Sequence, residues 1–112
     1  VFTINLYPYF DPANVLDPGA DDECALALAL ATCLDAPECR VPASAARARK
    51  KMAELTGWRR GKLWVGETGW SSFLSSSLAT QMARCKAWSS MDSFRTFYGR
   101  FLRWELGGGE DP

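Results

Sequence analysis

The chain has no histidine, and the spacing of its four cysteines, Cys24, Cys33, Cys39 and Cys85, is not that of a zinc site. No metal and no cofactor are expected. It also lacks an excess of charge of either sign, with 13 Lys and Arg against 13 Asp and Glu. Nucleic-acid binders draw much of their affinity from neutralising phosphates, so this balance argues against a nucleic-acid partner. No apolar run approaches the roughly 18 residues that span a bilayer, and Ala25 to Ala31 is short and preceded by Asp21, Asp22 and Glu23. No membrane span is expected in this segment.

Basic residues do cluster at Arg47, Arg49, Lys50, Lys51, Arg59, Arg60 and Lys62. They read as a solvated helix face and its exit loop, with an anion or acidic-partner patch as the other reading. The even number of cysteines suits disulfides in an oxidising compartment, or four buried thiols. Cys39 closes a short loop with either Cys33 or Cys24, and Cys85 falls on an apolar face where it is simply buried. Hydrophobic residues make up 47% of the sequence and include five Trp, enough for a packed core.

Val1 to Phe10 alternates Phe2, Ile4 and Leu6 with Thr3, Asn5, Tyr7 and Tyr9, the period of a strand, which should end near Pro8. Asp21 to Leu34 is rich in Ala and Leu behind a run of acids and reads as a helix. Asp35 to Pro42 reads as loop. A second helix is predicted from Ser44, as N-cap, to Leu55, with Ala45, Ala48, Met52 and Leu55 as its apolar stripe and Gly57 as its stop. Lys62 to Thr68 reads as a strand on which Glu67 shares a face with Leu63 and Val65. Leu78, Met82 and Cys85 suggest a short helix. Ser89 or Ser90 caps the last helix, Met91 to Leu106, whose Phe94, Phe97, Phe101 and Trp104 form an aromatic core stripe ended by Gly107. Strands joined by long helical crossovers pair in parallel, so the fold class is α/β.

Two segments carry chemistry: Asn5-Leu6-Tyr7-Pro8-Tyr9-Phe10, and Gly66-Glu67-Thr68-Gly69-Trp70-Ser71 behind the apolar strand Leu63-Trp64-Val65. In this order and at this separation they resemble glycoside hydrolase family 17, the endo-β-1,3-glucanases and their relatives. The resemblance implies a partial (β/α)8 TIM barrel over residues 1–112, from strand six to helix seven; Asp11 to Pro42 reads as a cysteine-bearing insertion that the family pattern does not place. The resemblance also implies that Glu67 is the nucleophile of a retaining glycosidase acting on a β-glucan polysaccharide or oligosaccharide, secreted or in a cell wall. Ser71-Ser72 stands where the family commonly has Pro-Ser, and Gly66 where it often has Ser.

Beside the resemblance, Glu67 lies at the C-terminal end of its strand, where barrel enzymes place their chemistry. Tyr7, with Tyr9 in reserve, can donate a hydrogen bond that orients the Glu67 carboxylate. Trp70 offers a flat face to a sugar ring or packs the base of its own loop. Asn5 binds a sugar hydroxyl or satisfies the interior. Retaining enzymes need a second carboxyl about 5–5.5 Å from the nucleophile, and the family's Asn-Glu acid motif has no counterpart here. The competing expectation is therefore a non-catalytic carbohydrate-binding or structural remnant. Val1 reads as already within a strand and Gly107 to Pro112 as a turn leading onward, so the sequence reads as part of a larger domain, inactive and poorly folded in isolation.

Overall fold

A computed structural model describes residues 2–8, 22–70, 83 and 85–105. The readings for Tyr9, for the loop at 11–21, for the helix around Leu78 and Met82, for the Ser-rich loop from Ser71 and for Gly107 lie outside them.

The described chain is mixed α/β. Strand β1 (Phe2–Leu6) is followed by helices α1 (Glu23–Thr32) and α2 (Arg40–Thr56), strand β2 (Leu63–Thr68), a short 3-10 turn (Lys86–Ser89) and helix α3 (Met91–Phe101). The strands pair in parallel, as their helical crossover requires. Phe2 is in register with Leu63, Thr3 with Trp64 and Ile4 with Val65; the register then slips, so that Asn5 meets Glu67 and Leu6 meets Thr68. Gly66 is the extra residue of this bulge.

The bulge corrects one expectation. Leu63 is buried, and Ile4, Leu6 and Val65 belong to the core under the helices. Glu67 does not continue their face: it registers with Asn5, which alternation puts on the other side. Two residues opposing one shift the side-chain parity of the strand beyond them. Gly66 makes the shift feasible, because a methyl group there would stand 2.5 Å from Thr3 Cγ2 and 3.2 Å from Asn5 Oδ1.

The helices follow local chemistry. Asp22 caps α1 by accepting the Ala25 N–H at 3.2 Å. Ala27 and Ala31, one turn apart, are its buried residues besides Thr32. Helix α2 begins at Arg40, four residues before the expected Ser44, because Pro42 sits in the first turn, where its missing N–H costs nothing. Ser44 is thus inside the helix, and its hydroxyl accepts from Arg47 Nη2 at 2.8 Å. The buried stripe of α2 is Val41, Ala45 and Met52. Leu55 stays 74% exposed, so the buried stripe stops at Met52. Gly57 ends α2 in the left-handed conformation, φ 71°, donating to the Ala53 carbonyl at 2.9 Å.

Helix α3 is capped by the Ser90 hydroxyl, which accepts the Ser93 N–H at 3.2 Å. It ends at Phe101 rather than Leu106. Arg103 and Trp104 donate to the carbonyls of Arg100 and Phe101, three residues back, which tightens the chain into a closing turn. The aromatic period survives this change: Phe97 is fully buried, and Phe101 and Trp104 pack against its cluster, whereas Phe94 is exposed.

Two groups of buried residues result. Leu6, Leu34, Val41, Ala45 and Phe97 join the sheet to α2 and α3. Ala27, Ala31, Cys85 and Trp88 join α1 to the 3-10 turn. Trp70 packs against both. Two disulfides reinforce them. Cys33–Cys39 spans the α1–α2 connection, with Cα atoms 5.4 Å apart, and Cys24–Cys85 ties α1 to the chain before the 3-10 turn, with Cα atoms 5.2 Å apart. Cys85 is buried as expected, but as a half-cystine and not as a thiol. Arg100 Nη1 donates to the Thr32 carbonyl at 3.3 Å, placing a cation at the C-terminus of α1. Among the described residues no helix is long and apolar enough to cross a membrane.

Candidate functional site

The open face of the sheet begins with Thr3 and Asn5 on β1, and the bulge adds Glu67 to it. Tyr7 follows two residues after Asn5. Its hydroxyl donates to Glu67 Oε2 at 2.8 Å, a contact between residues 60 apart in sequence. The C-terminal ends of two parallel strands thus meet through one phenol–carboxylate hydrogen bond. It is a charge-assisted contact and stronger than a bond between neutral groups. The bond holds the Tyr7 proton more firmly than usual: its pKa is raised above the ordinary 10.0, first by this hydrogen bond, then by burial, then by the Glu67 charge, with a contribution from Tyr98.

Glu67 is exposed and Tyr7 half-buried, so the carboxylate can be reached from solvent while its orienting partner is partly held by its surroundings. Glu67 is the only carboxylate on either strand. Asn5 is exposed beside it, in register. Tyr9 lies outside the described residues.

Trp70 packs against the two buried clusters. Its indole stacks on Trp88 with centroids 4.8 Å apart and planes 22° apart, and it lies tilted against Phe97 at 5.5 Å. Its Nε1–H donates to the Trp88 carbonyl at 2.9 Å. Trp64, by contrast, is 60% exposed.

Sequence reasoning missed Tyr98. Its hydroxyl accepts the Trp70 backbone N–H at 3.3 Å. A hydroxyl beside the Phe97 of an otherwise hydrocarbon stripe was the available signal, because a buried phenol needs a polar partner. The role of Gly66 was also missed, since a bulge leaves no periodic trace.

Cys33, Asp35 and Cys39 bring potential ligand atoms within 4.8 Å of one another. The disulfide between the two cysteines removes the thiolates that a metal would need. A cleft of about 770 Å³ lies elsewhere, between the α1–α2 connection, α2 and the end of α3; Leu34, Pro42, Arg49, Arg103 and Trp104 are among its walls, and Glu67 and Tyr7 are not. A carboxylate oriented by a phenol at a strand end can serve as a nucleophile or hold a sugar hydroxyl. Comparison with known proteins adds no neighbour: no family model, curated protein or solved structure matches the chain.

Proposed function

We propose that the chain is the nucleophile-bearing part of a family 17-like glycoside hydrolase, a (β/α)8 barrel that cleaves β-1,3-glucan with retention of configuration. The observation that carries this reading is the 2.8 Å hydrogen bond from Tyr7 to Glu67 across the ends of adjacent parallel strands. Glu67 is the nucleophile: a carboxylate oxygen attacks the anomeric carbon, the glycosidic bond breaks, and a glycosyl ester forms, which water or another sugar then resolves. Tyr7 orients the carboxylate. Asn5, in register with Glu67 and exposed, is placed to bind a sugar hydroxyl, with Tyr9 a further sugar contact. Trp70, stacked on Trp88, supports the strand end from the covered side. The general acid comes from a strand other than these two. Two disulfides favour a secreted or cell-wall setting.

The alternative, a carbohydrate-binding or structural remnant of the same fold, is favoured by one observation, the single carboxylate carried by the two strands. A laminaribiosyl fluoride bearing fluorine at C2 separates the two. Fluoride departs without a proton donor, so the missing acid does not matter, and the second fluorine slows hydrolysis of the ester. Intact-mass and peptide analysis should then find one glycosyl group on Glu67, and none in Glu67→Gln. Labelling that persists in Glu67→Gln would defeat the assignment, and no labelling in either protein would favour the remnant.

A further inference from the structure

The Tyr7–Glu67 bond does not stand alone; the first residues after β2 pack beside it. Gly69 has no need of glycine's backbone freedom, because Gly57 is the only described residue with positive φ. Its need is space. A methyl group on Gly69 would stand 3.2 Å from Tyr7 Cε1 and 3.5 Å from Tyr98 Oη, so the bare backbone lies between two phenols from different elements. The first contact is tight enough that the Tyr7 ring would have to move by a few tenths of an ångström. The second phenol is anchored. Tyr98 meets the fully buried Phe97 edge-on at 5.3 Å and Phe94 at 4.7 Å, and it accepts the Trp70 N–H at 3.3 Å. The peptide after Gly69 is therefore tied to α3, while Trp70 itself is fixed by Trp88.

We propose that Gly69 and Tyr98 are positioning residues for the Tyr7–Glu67 pair: Tyr98 holds the Gly69–Trp70 peptide, and the bare Gly69 lets the Tyr7 ring lie where its hydroxyl reaches the carboxylate. The functional importance of this arrangement rests on the reading of Glu67 as the nucleophile, but the geometry is tested without turnover. Neither residue touches the reacting atoms. Each acts through Tyr7, and a hydrogen bond weakens steeply as its geometry departs from the optimum, so a small ring displacement is enough.

The experiment is a pH titration of the full, oxidised chain with ¹³C at tyrosine Cζ, read by NMR, with Tyr7 assigned by Tyr7→Phe. In the native sequence the Tyr7 midpoint should lie above 10.0, raised by the hydrogen bond to Glu67. Glu67→Gln removes the charge and lowers the Tyr7 midpoint, which defines the full effect of the pair. Gly69→Ala should lower it by at least half of that difference, with both disulfides and the helical circular dichroism retained. Tyr98→Phe should act in the same direction and keeps the ring packing. It also removes the small Tyr98 contribution to Tyr7, so Gly69→Ala, which keeps that phenol, separates a displaced ring from a lost neighbour. Native Tyr7 midpoints in Gly69→Ala and Tyr98→Phe, alongside a lowered one in Glu67→Gln, would overturn the positioning proposal and leave the pair intact. An unchanged midpoint in Glu67→Gln would remove the pair itself, and with it the observation behind the functional reading.

Discussion

The two faces of the sheet are built on opposite terms. The covered face is redundant: Leu6 and Val65 meet Phe97 and Trp70, Trp70 stacks on Trp88, and Trp88 shares its cluster with Cys85, half of the Cys24–Cys85 disulfide. On the open face, among the described residues, Tyr7 donates to Glu67 with Asn5 alongside. The covered face holds position through many contacts that no single hydroxyl decides. The open face leaves a charged group reachable from solvent and holds it by a directional contact, whose geometry a small shift can spoil.

The contrast can be broken from the covered side first. Removing Cys24–Cys85 with paired serines frees a loop with a sequence separation of 61. Chain-entropy reasoning puts the loss at about 4 kcal/mol, against about 2 kcal/mol for the short Cys33–Cys39 loop. Urea denaturation of the two double variants should show this order, and equal losses would contradict it. Trp88→Ala, which empties a fully buried site, should cost about 3–5 kcal/mol in the same measurement.

Glu67→Gln should shift stability by no more than about 0.5 kcal/mol, because an exposed surface group contributes little to folding. The same change should abolish covalent labelling by the activated fluoride. A large loss of stability would mean that Glu67 serves the fold.

The open face also predicts an alkaline effect. The folded chain holds the Tyr7 proton more tightly than the unfolded chain, since its pKa is raised above 10.0. The stabilisation from this contact is therefore complete below pH 10 and disappears as pH climbs through the raised value. Thermal melts between neutral pH and strong alkali should fall less steeply for Tyr7→Phe than for the native chain. A small effect is expected at Thr68. Its Oγ1 is buried with no hydrogen-bond partner among the described residues, so Thr68→Val should be neutral or stabilising by up to about 1 kcal/mol. A marked loss would reveal a partner.

Much of this was legible in the residues. The strand pairing followed from long helical crossovers, the start of α1 from the acids before it, the start of α3 from a serine at 89 or 90, and the stop of α2 from Gly57. The approach of Tyr7 to Glu67 followed from reading both strands at their C-terminal ends. The parity of Glu67 did not follow, because alternation carries no mark of an inserted Gly66. Nor did the start of α2, where Pro42 reads as a breaker until its place in the first turn is known. The Cys24–Cys85 pairing was hidden by distance: cysteine spacing reports short loops, while a bridge with a separation of 61 depends on the tertiary packing of α1.

That long bridge makes a covalent ring of residues 24–85, which contains α2 and β2 and therefore Glu67. The connection between α2 and β2 runs through exposed Arg59 and Arg60, a natural point of attack for a trypsin-like protease. A single cut there would open the ring without parting its halves. The nicked molecule would keep its mass but for one added water, and the segment carrying Tyr7 would stay tethered to the one carrying Glu67 until a reductant released them.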